Sequence, residues 1–196
     1  MSMDTYLWQT LPLHVQLRCF IGLWPEPSAL GHLERLAAQA QGKYGGRAML
    51  AEHMHLTLAF MGASPVGRLK QLLPALQTIS WEPLALRLNR VGLFERAAVL
   101  WLGPDAAQSD ALKQLRERHE FLWQLLQERG WKRTERDFIP HVSLLRHCQA
   151  VTIESEQVEP EVPIYCRQAY LIASVPTHQG SQYRVLCQLG TAVNVV

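Results

Sequence analysis

Apolar residues run almost unbroken from Val15 to Trp24 and stop at Pro25 and Pro27, the pattern of a strand covered on both faces. Ser28 is placed to cap a helix whose apolar positions Leu30, Leu33, Ala37 and Ala40 recur at helical spacing until Gly42 ends it. A second strand is expected over Met54 to Met61. Ser64 and Pro65 then supply a cap and first turn for a helix carrying Val66, Leu69, Leu72, Leu73, Leu76 and Ile79, which Pro74 should kink or split. Leu84 to Phe94 and Ala97 to Leu102 read as a hairpin turned at Glu95 and Arg96. The longest helix places Leu112, Leu115, Leu122 and Leu126 on one face between Pro104 and Gly130. Ile139 to Leu145 is another short strand, and Ala169 to Ser174 with Tyr183 to Leu189 forms a closing pair. Strands and helices thus alternate in both halves, which predicts an α+β or α/β protein whose second half echoes its first. Residues 1–14 read as an N-terminal extension and residues 15–196 as one domain.

Composition narrows the classes. The 196 residues are 48% hydrophobic and 18% charged, a balance that belongs to folded chains. A net charge of +2 is too small for a protein that coats nucleic acid, and no DNA-specific binding is expected. Fifteen of the 19 basic residues are arginines, the better fork for phosphate oxygens, although a GC-rich genome produces the same bias. Cys19, Cys148, Cys166 and Cys187 match no zinc-binding or redox spacing and read as reduced, buried thiols of a cytoplasmic protein. Neither a secretion signal nor an apolar run of membrane-spanning length is present, so no membrane partner is expected.

Candidate chemistry sits in a repeated tetrapeptide. His55-Leu56-Thr57-Leu58 and His141-Val142-Ser143-Leu144 each fall on an expected strand, at comparable points of the two halves. Composition alone predicts about 0.16 chance copies of such a pattern, so two copies carry information. Alternation along a strand directs His55 and Thr57 to one face and Leu56 and Leu58 to the core, and treats His141 and Ser143 in the same way. Two such strands together would offer paired imidazoles and paired hydroxyls. Cleaving a phosphodiester without a metal needs a base for the attacking oxygen and an acid for the leaving one, and histidine suits both near neutral pH. Thr57, Ser143 and Arg146 could donate to the phosphate oxygens. No cofactor is implied.

On these residues the chain resembles the two-histidine (2H) phosphoesterase superfamily, and more narrowly the RNA 2',3'-cyclic phosphodiesterases, also called 2'-5' RNA ligases. The similarity runs from about Leu17 to Gly190 and is most specific at Glu52-His53-Met54-His55-Leu56-Thr57-Leu58 and Phe138-Ile139-Pro140-His141-Val142-Ser143-Leu144-Leu145-Arg146. It implies a bilobal α+β fold of two pseudo-symmetric antiparallel-sheet lobes backed by helices, with a central cleft. It also implies hydrolysis of RNA or small nucleotide 2',3'-cyclic phosphate ends to 2'-phosphomonoesters; separately, the protein is expected to be a monomer. In that scheme His55 is the proton donor, His141 the proton acceptor, and Thr57, Ser143 and Arg146 hold the phosphate. The motif is symmetric, so the sequence leaves the acid and base assignment open to exchange. Ser143 stands where Thr is commoner, and His53 where the family has a small amide.

Other readings compete. His53 and His55 share a face beside Glu52, which suggests a metal site, but no third ligand is indicated and none is assigned. His119 lies in a helix stripe and should pack or bond internally, while His14, His32, His147 and His178 read as surface or loop residues. The six tryptophans fit core or interface roles better than base-stacking ones. The same two histidines would serve the reverse, ligating reaction. A nucleotide or RNA-end binding module with little turnover is the alternative from another class, and a second proton-transfer group has no use there.

Overall fold

The computed structural model describes residues 8–105, 109–134, 137–150, 152–153, 157–178 and 180–190. Residues 1–7 of the expected extension lie outside them; within the rest of it, Trp8 is buried and donates its indole N–H to the Leu186 carbonyl at 3.2 Å. The strands are β1 (Gln16–Leu23), β2 (Arg47–Ala48), β3 (Leu56–Pro65), β4 (Leu84–Phe94), β5 (Val99–Pro104), β6 (Val142–Arg146), β7 (Gln157–Cys166), β8 (Ala169–Thr177) and β9 (Gly180–Gln188). The α-helices among the described residues are α1 (Pro27–Tyr44), α2 (Val66–Gln77) and α3 (Ser109–Glu128).

All pairings are antiparallel, in the order β7-β4-β5-β6-β3-β1-β8-β9, with β2 added to β6. The order divides at its middle into two four-stranded halves, β3-β1-β8-β9 and β6-β5-β4-β7. Among the described residues the two halves pair as strands only where Leu56 of β3 faces Val142 of β6. This is the α+β, two-lobed architecture that the family resemblance implies. Helix α1 packs on β6 and β7, α2 on β3 and β9, and α3 on β3 and β4. Leu33, Leu69, Leu72, Leu76, Leu115 and Leu126 carry the helical side of the core and are fully buried.

The two central strands share an irregularity. On β3, Thr57 pairs with Gly22 and Ala59 with Ile21, so Leu58 has no partner on β1. On β6, Ser143 pairs with Trp101 and Leu145 with Leu100, so Leu144 has no partner on β5. Each is a bulge one residue beyond the hydroxyl of the motif. A bulge shifts the alternation of faces by one residue, and both strands accordingly bury two consecutive side chains, Leu58-Ala59 and Leu144-Leu145. The displaced carbonyls are satisfied from outside the pairing: His119 Nδ1–H donates to the Leu58 carbonyl at 2.6 Å, and the Met49 N–H donates to the Leu144 carbonyl at 2.8 Å. His119 is the internally bonded helix histidine expected from its stripe, stacked on Phe138 at 3.9 Å.

Several local expectations change. Helix α1 starts at Pro27, with Glu26 rather than Ser28 at the cap position, because a proline at the first turn needs no N–H partner. It continues past Gly42 to Tyr44 and ends at Gly45, whose φ of +66° suits glycine. Ser64 caps nothing. It closes β3, fully buried, and accepts the Trp131 indole N–H at 2.9 Å, leaving Pro65 at the cap position of α2. Pro74 does not split α2, since it lies on the exposed face where the carbonyl it leaves unbonded can meet water. The strand β7 was not among the expected elements, because prolines at 160 and 163 disguise it; it is a sheet edge, where a missing N–H is tolerated. The four cysteines are free and buried. Among the described residues no helix is long and apolar enough to cross a membrane.

Since the His119 imidazole donates to a buried bulge carbonyl, His119→Phe should keep the stacking on Phe138 but remove that donor. The expected loss is about 1–3 kcal/mol. It should appear as a lower urea midpoint at unchanged slope.

Candidate active site

Both motif histidines stand one residue before their strands, on the threshold of β3 and β6. Leu56 and Val142 are fully buried and face each other, so antiparallel register brings Thr57 across from His141 and His55 across from Ser143. The four polar side chains therefore meet on the face opposite the core. Thr57 and His141 line one cavity together.

The two imidazoles are held in the same way. His55 Nδ1 lies 2.7 Å from the His53 carbonyl, and His141 Nδ1 lies 2.7 Å from the Ile139 carbonyl. A carbonyl only accepts, so each Nδ1 carries the proton and each Nε2 is the basic nitrogen of the neutral ring. Aromatic rings clamp each imidazole. Phe20 stacks on His55 with centroids 4.7 Å apart and Trp24 stands at 6.4 Å; Phe94 meets His141 edge-on at 4.8 Å and Trp101 stands at 6.2 Å. Tyr183 of β9 closes on His55 at 5.0 Å and on His53 at 5.1 Å. Gly92 allows this packing on the second lobe, because a Cβ there would fall 2.0 Å from the Trp101 ring.

Burial dominates the electrostatics. It pushes the His55 imidazole down to about 4, against the opposing pull of the His53 carbonyl, and positive charge on His141, Arg146 and His53 pushes the same way. Burial also holds His141 below the usual imidazole value, opposed by the Ile139 carbonyl. Both rings are therefore neutral at neutral pH in the unliganded protein, and an anion between them would restore a proton to one.

Arg146 reaches this face because of the bulge. Strict alternation from Val142 would send it to the core side with Leu144; the extra residue returns it, exposed, to the side of His141 and Ser143. Its position in the first lobe is filled by Phe60, which follows Leu58-Ala59 as Arg146 follows Leu144-Leu145. The pseudo-symmetric cleft is thus mainly aromatic at one end, where Thr134 and Asp137 also line the wall, and cationic at the other. Phe60, Phe94, Phe138 and Ile139 line a cavity of about 350 Å³ with Thr57 and His141. Arg146 instead lines a second cavity of about 390 Å³ with Arg47, His53, Ser181 and Tyr183.

All five residues singled out by the motif lie at this cleft, His55, Thr57, His141 and Ser143 around the junction and Arg146 at its cationic end. The aromatic clamps and Arg47 were not anticipated. A Trp or Phe close to each motif's partner strand was visible in the sequence, but which aromatics meet the histidines depends on strand pairing. The His53–Glu52 pair is 3.7 Å apart, and among the described residues no three His, Cys, Asp or Glu side chains converge as metal ligands.

Residues 23–101, which contain the first histidine motif and end before the second, match the family model described as LigT like phosphoesterase. The RNA 2',3'-cyclic phosphodiesterase of Escherichia coli (strain K12) is 32% identical over 112 residues, 55% of this chain and 60% of that protein. The RNA 2',3'-cyclic phosphodiesterase of Aquifex aeolicus (strain VF5) is 25% identical over 136 residues, 66% of this chain and 70% of that protein. The crystal structure of E. coli LigT complexed with 3'-AMP superposes with a TM-score of 0.75 at 25% identity, across 88% of this chain and 97% of that one. With a two-lobed sheet, a repeated histidine motif at the junction of the lobes and these relatives, the chain is similar to the LigT-like phosphoesterases of the two-histidine superfamily.

Proposed function

We propose that this protein hydrolyses RNA or nucleotide 2',3'-cyclic phosphate ends to 2'-phosphomonoesters without a metal, by proton transfer between His55 and His141. The observation that carries this reading is the matched pair of imidazoles, each fixed through Nδ1–H to the carbonyl two residues back and each beside a hydroxyl of the facing strand. The substrate class is that of the two relatives from E. coli and A. aeolicus. Arrangement and tautomer suit in-line displacement at phosphorus. His141 Nε2 takes a proton from water as its oxygen bonds to phosphorus; the P–O3' bond breaks, and His55 gives its Nε2 proton to the departing O3'. The Thr57 and Ser143 hydroxyls and the Arg146 guanidinium donate to the non-bridging oxygens, where negative charge grows. The entering phosphate supplies the charge that keeps His55 protonated despite its burial. The buried free thiols fit the reducing conditions of the cytoplasm.

With adenosine 2',3'-cyclic phosphate in EDTA, the wild type should turn over, and His55→Ala and His141→Ala should each lose about 10²–10⁴ in kcat. A nucleotide p-nitrophenyl diester separates the roles. Its leaving group needs no proton, so His55→Ala should recover most of its rate there while His141→Ala stays slow. Full activity of either variant on the cyclic substrate, or complete loss in EDTA, contradicts the mechanism.

The pH dependence follows from the depressed imidazoles. A singly protonated pair is most populated between its two apparent pKa values, and both histidines lie below the ordinary 6.5, so the kcat/KM optimum should fall on the acid side of 6.5. Bound phosphate favours the protonated form, so the kcat optimum should lie at higher pH than that of kcat/KM. Coincident optima above pH 7 would refute this account.

A further inference from the structure

We infer that Arg47 and His53, in the cationic cavity they share with Arg146, bind a second phosphate of the substrate, the one on O5' of the nucleotide whose cyclic phosphate reacts, with Arg146 shared between the two phosphates. This rests on the reaction proposed above and adds to it the part of the substrate recognised beyond the reacting group.

Four observations converge. Arg47 on β2 and Arg146 on β6 are direct cross-strand partners, and like charges so placed repel unless an anion lies between them. Among the described residues neither guanidinium is ion-paired to a carboxylate, and the lining of the cavity contains none. His53, Ser181 and Tyr183 add further donors to the same walls. Glu52, the acid beside His53, is exposed and lies outside the lining, so its carboxylate does not occupy the cavity.

The cavity is held by backbone. Gly46, at φ +87°, lets the chain pass where a Cβ would be 2.8 Å from the Arg146 carbonyl and 2.7 Å from that of His147. Gln41 Nε2 donates to the Gly46 carbonyl at 3.0 Å, and the Met49 N–H bonds the Leu144 bulge. Arg47 is therefore delivered to Arg146 by a tied strand rather than by a loose loop.

Substrate chemistry explains why this phosphate is the one on O5'. In a ribose 2',3'-cyclic phosphate the base leaves from C1', beside C2', and O5' is carried through C4', beside C3'. Base and second phosphate therefore diverge to opposite sides of the reacting phosphorus. The cleft diverges likewise, with an aromatic room at His141 and a cationic one against His53 and Tyr183, the neighbours of His55. Seating the base in the first and the O5' phosphate in the second puts O3' on the side of His55, the group assigned to protonate it. The second phosphate could belong to the RNA chain as a diester or be a terminal 5'-monoester.

Binding of reaction products tests this without turnover. Calorimetry would compare adenosine 2'-phosphate, adenosine 2',5'-bisphosphate and a dinucleotide ending in a 2'-phosphate, with wild type, Arg47→Ala, Arg47→Lys and His53→Gln. The bisphosphate or the dinucleotide should bind wild type roughly ten- to a hundredfold more tightly than the monophosphate. Arg47→Ala should collapse that ratio towards one, His53→Gln should reduce it, and Arg47→Lys should retain part of it. A gain for the dinucleotide identifies the chain diester, and a gain for the bisphosphate alone identifies a terminal monoester. A wild-type ratio near one, or a ratio that Arg47→Ala leaves intact, overturns the second site. Absence of cyclic-phosphate hydrolysis in a parallel assay would overturn the reaction instead, with the binding ratio still deciding the site.

Discussion

The cleft depends on one constraint: two strands that meet at a single buried pair, Leu56 against Val142, and each bulge immediately beyond it. The buried pair sets the register, so the polar residues on either side of each apolar one face their counterparts from the other lobe. A slip of one residue in either strand would turn that strand's two polar side chains into the core. The bulges then bury two consecutive side chains and bring the next residue back to the cleft. Each irregularity is stabilised by a donor from elsewhere, His119 of α3 in one lobe and Met49 beside β2 in the other.

A symmetric frame carries asymmetric ends. The imidazoles are anchored alike and each has a Phe and a Trp beside it, but Phe20 stacks on His55 whereas Phe94 meets His141 edge-on, and Tyr183 closes on His55. A further difference between the lobes is the side chain that each bulge returns to the cleft. Phe60 in one lobe and Arg146 in the other divide the cleft into a mainly aromatic and a cationic end, and only the second lobe receives β2 with Arg47. Burial lowers both histidines, but the charge of Arg146 acts on His55 in particular. The same crowding that depresses the basicity of the imidazoles fixes their orientation.

Much of the fold was legible in the chain because its signals are local. Strand β1, helix α3, the β4–β5 hairpin and the β8–β9 pair follow from periodicity and turn residues within each segment. Boundaries shifted where a tertiary partner claimed a residue, as Trp131 claims Ser64. Strand β7 was hidden because its prolines are tolerated only at an edge, a property of sheet order rather than of the segment.

For the site, the repeated pair of histidines and hydroxyls was readable along the chain, since alternation along a strand is enough to put each pair on one polar face. It took the folded arrangement to show that these faces meet across β3 and β6, that Arg146 belongs to the polar side, and that Arg47, ninety-nine residues earlier, stands opposite it. The reason is physical. Face alternation is a short-range property of the backbone, whereas bulges, strand order and cross-strand partners are settled by hydrogen bonds between segments far apart in the chain.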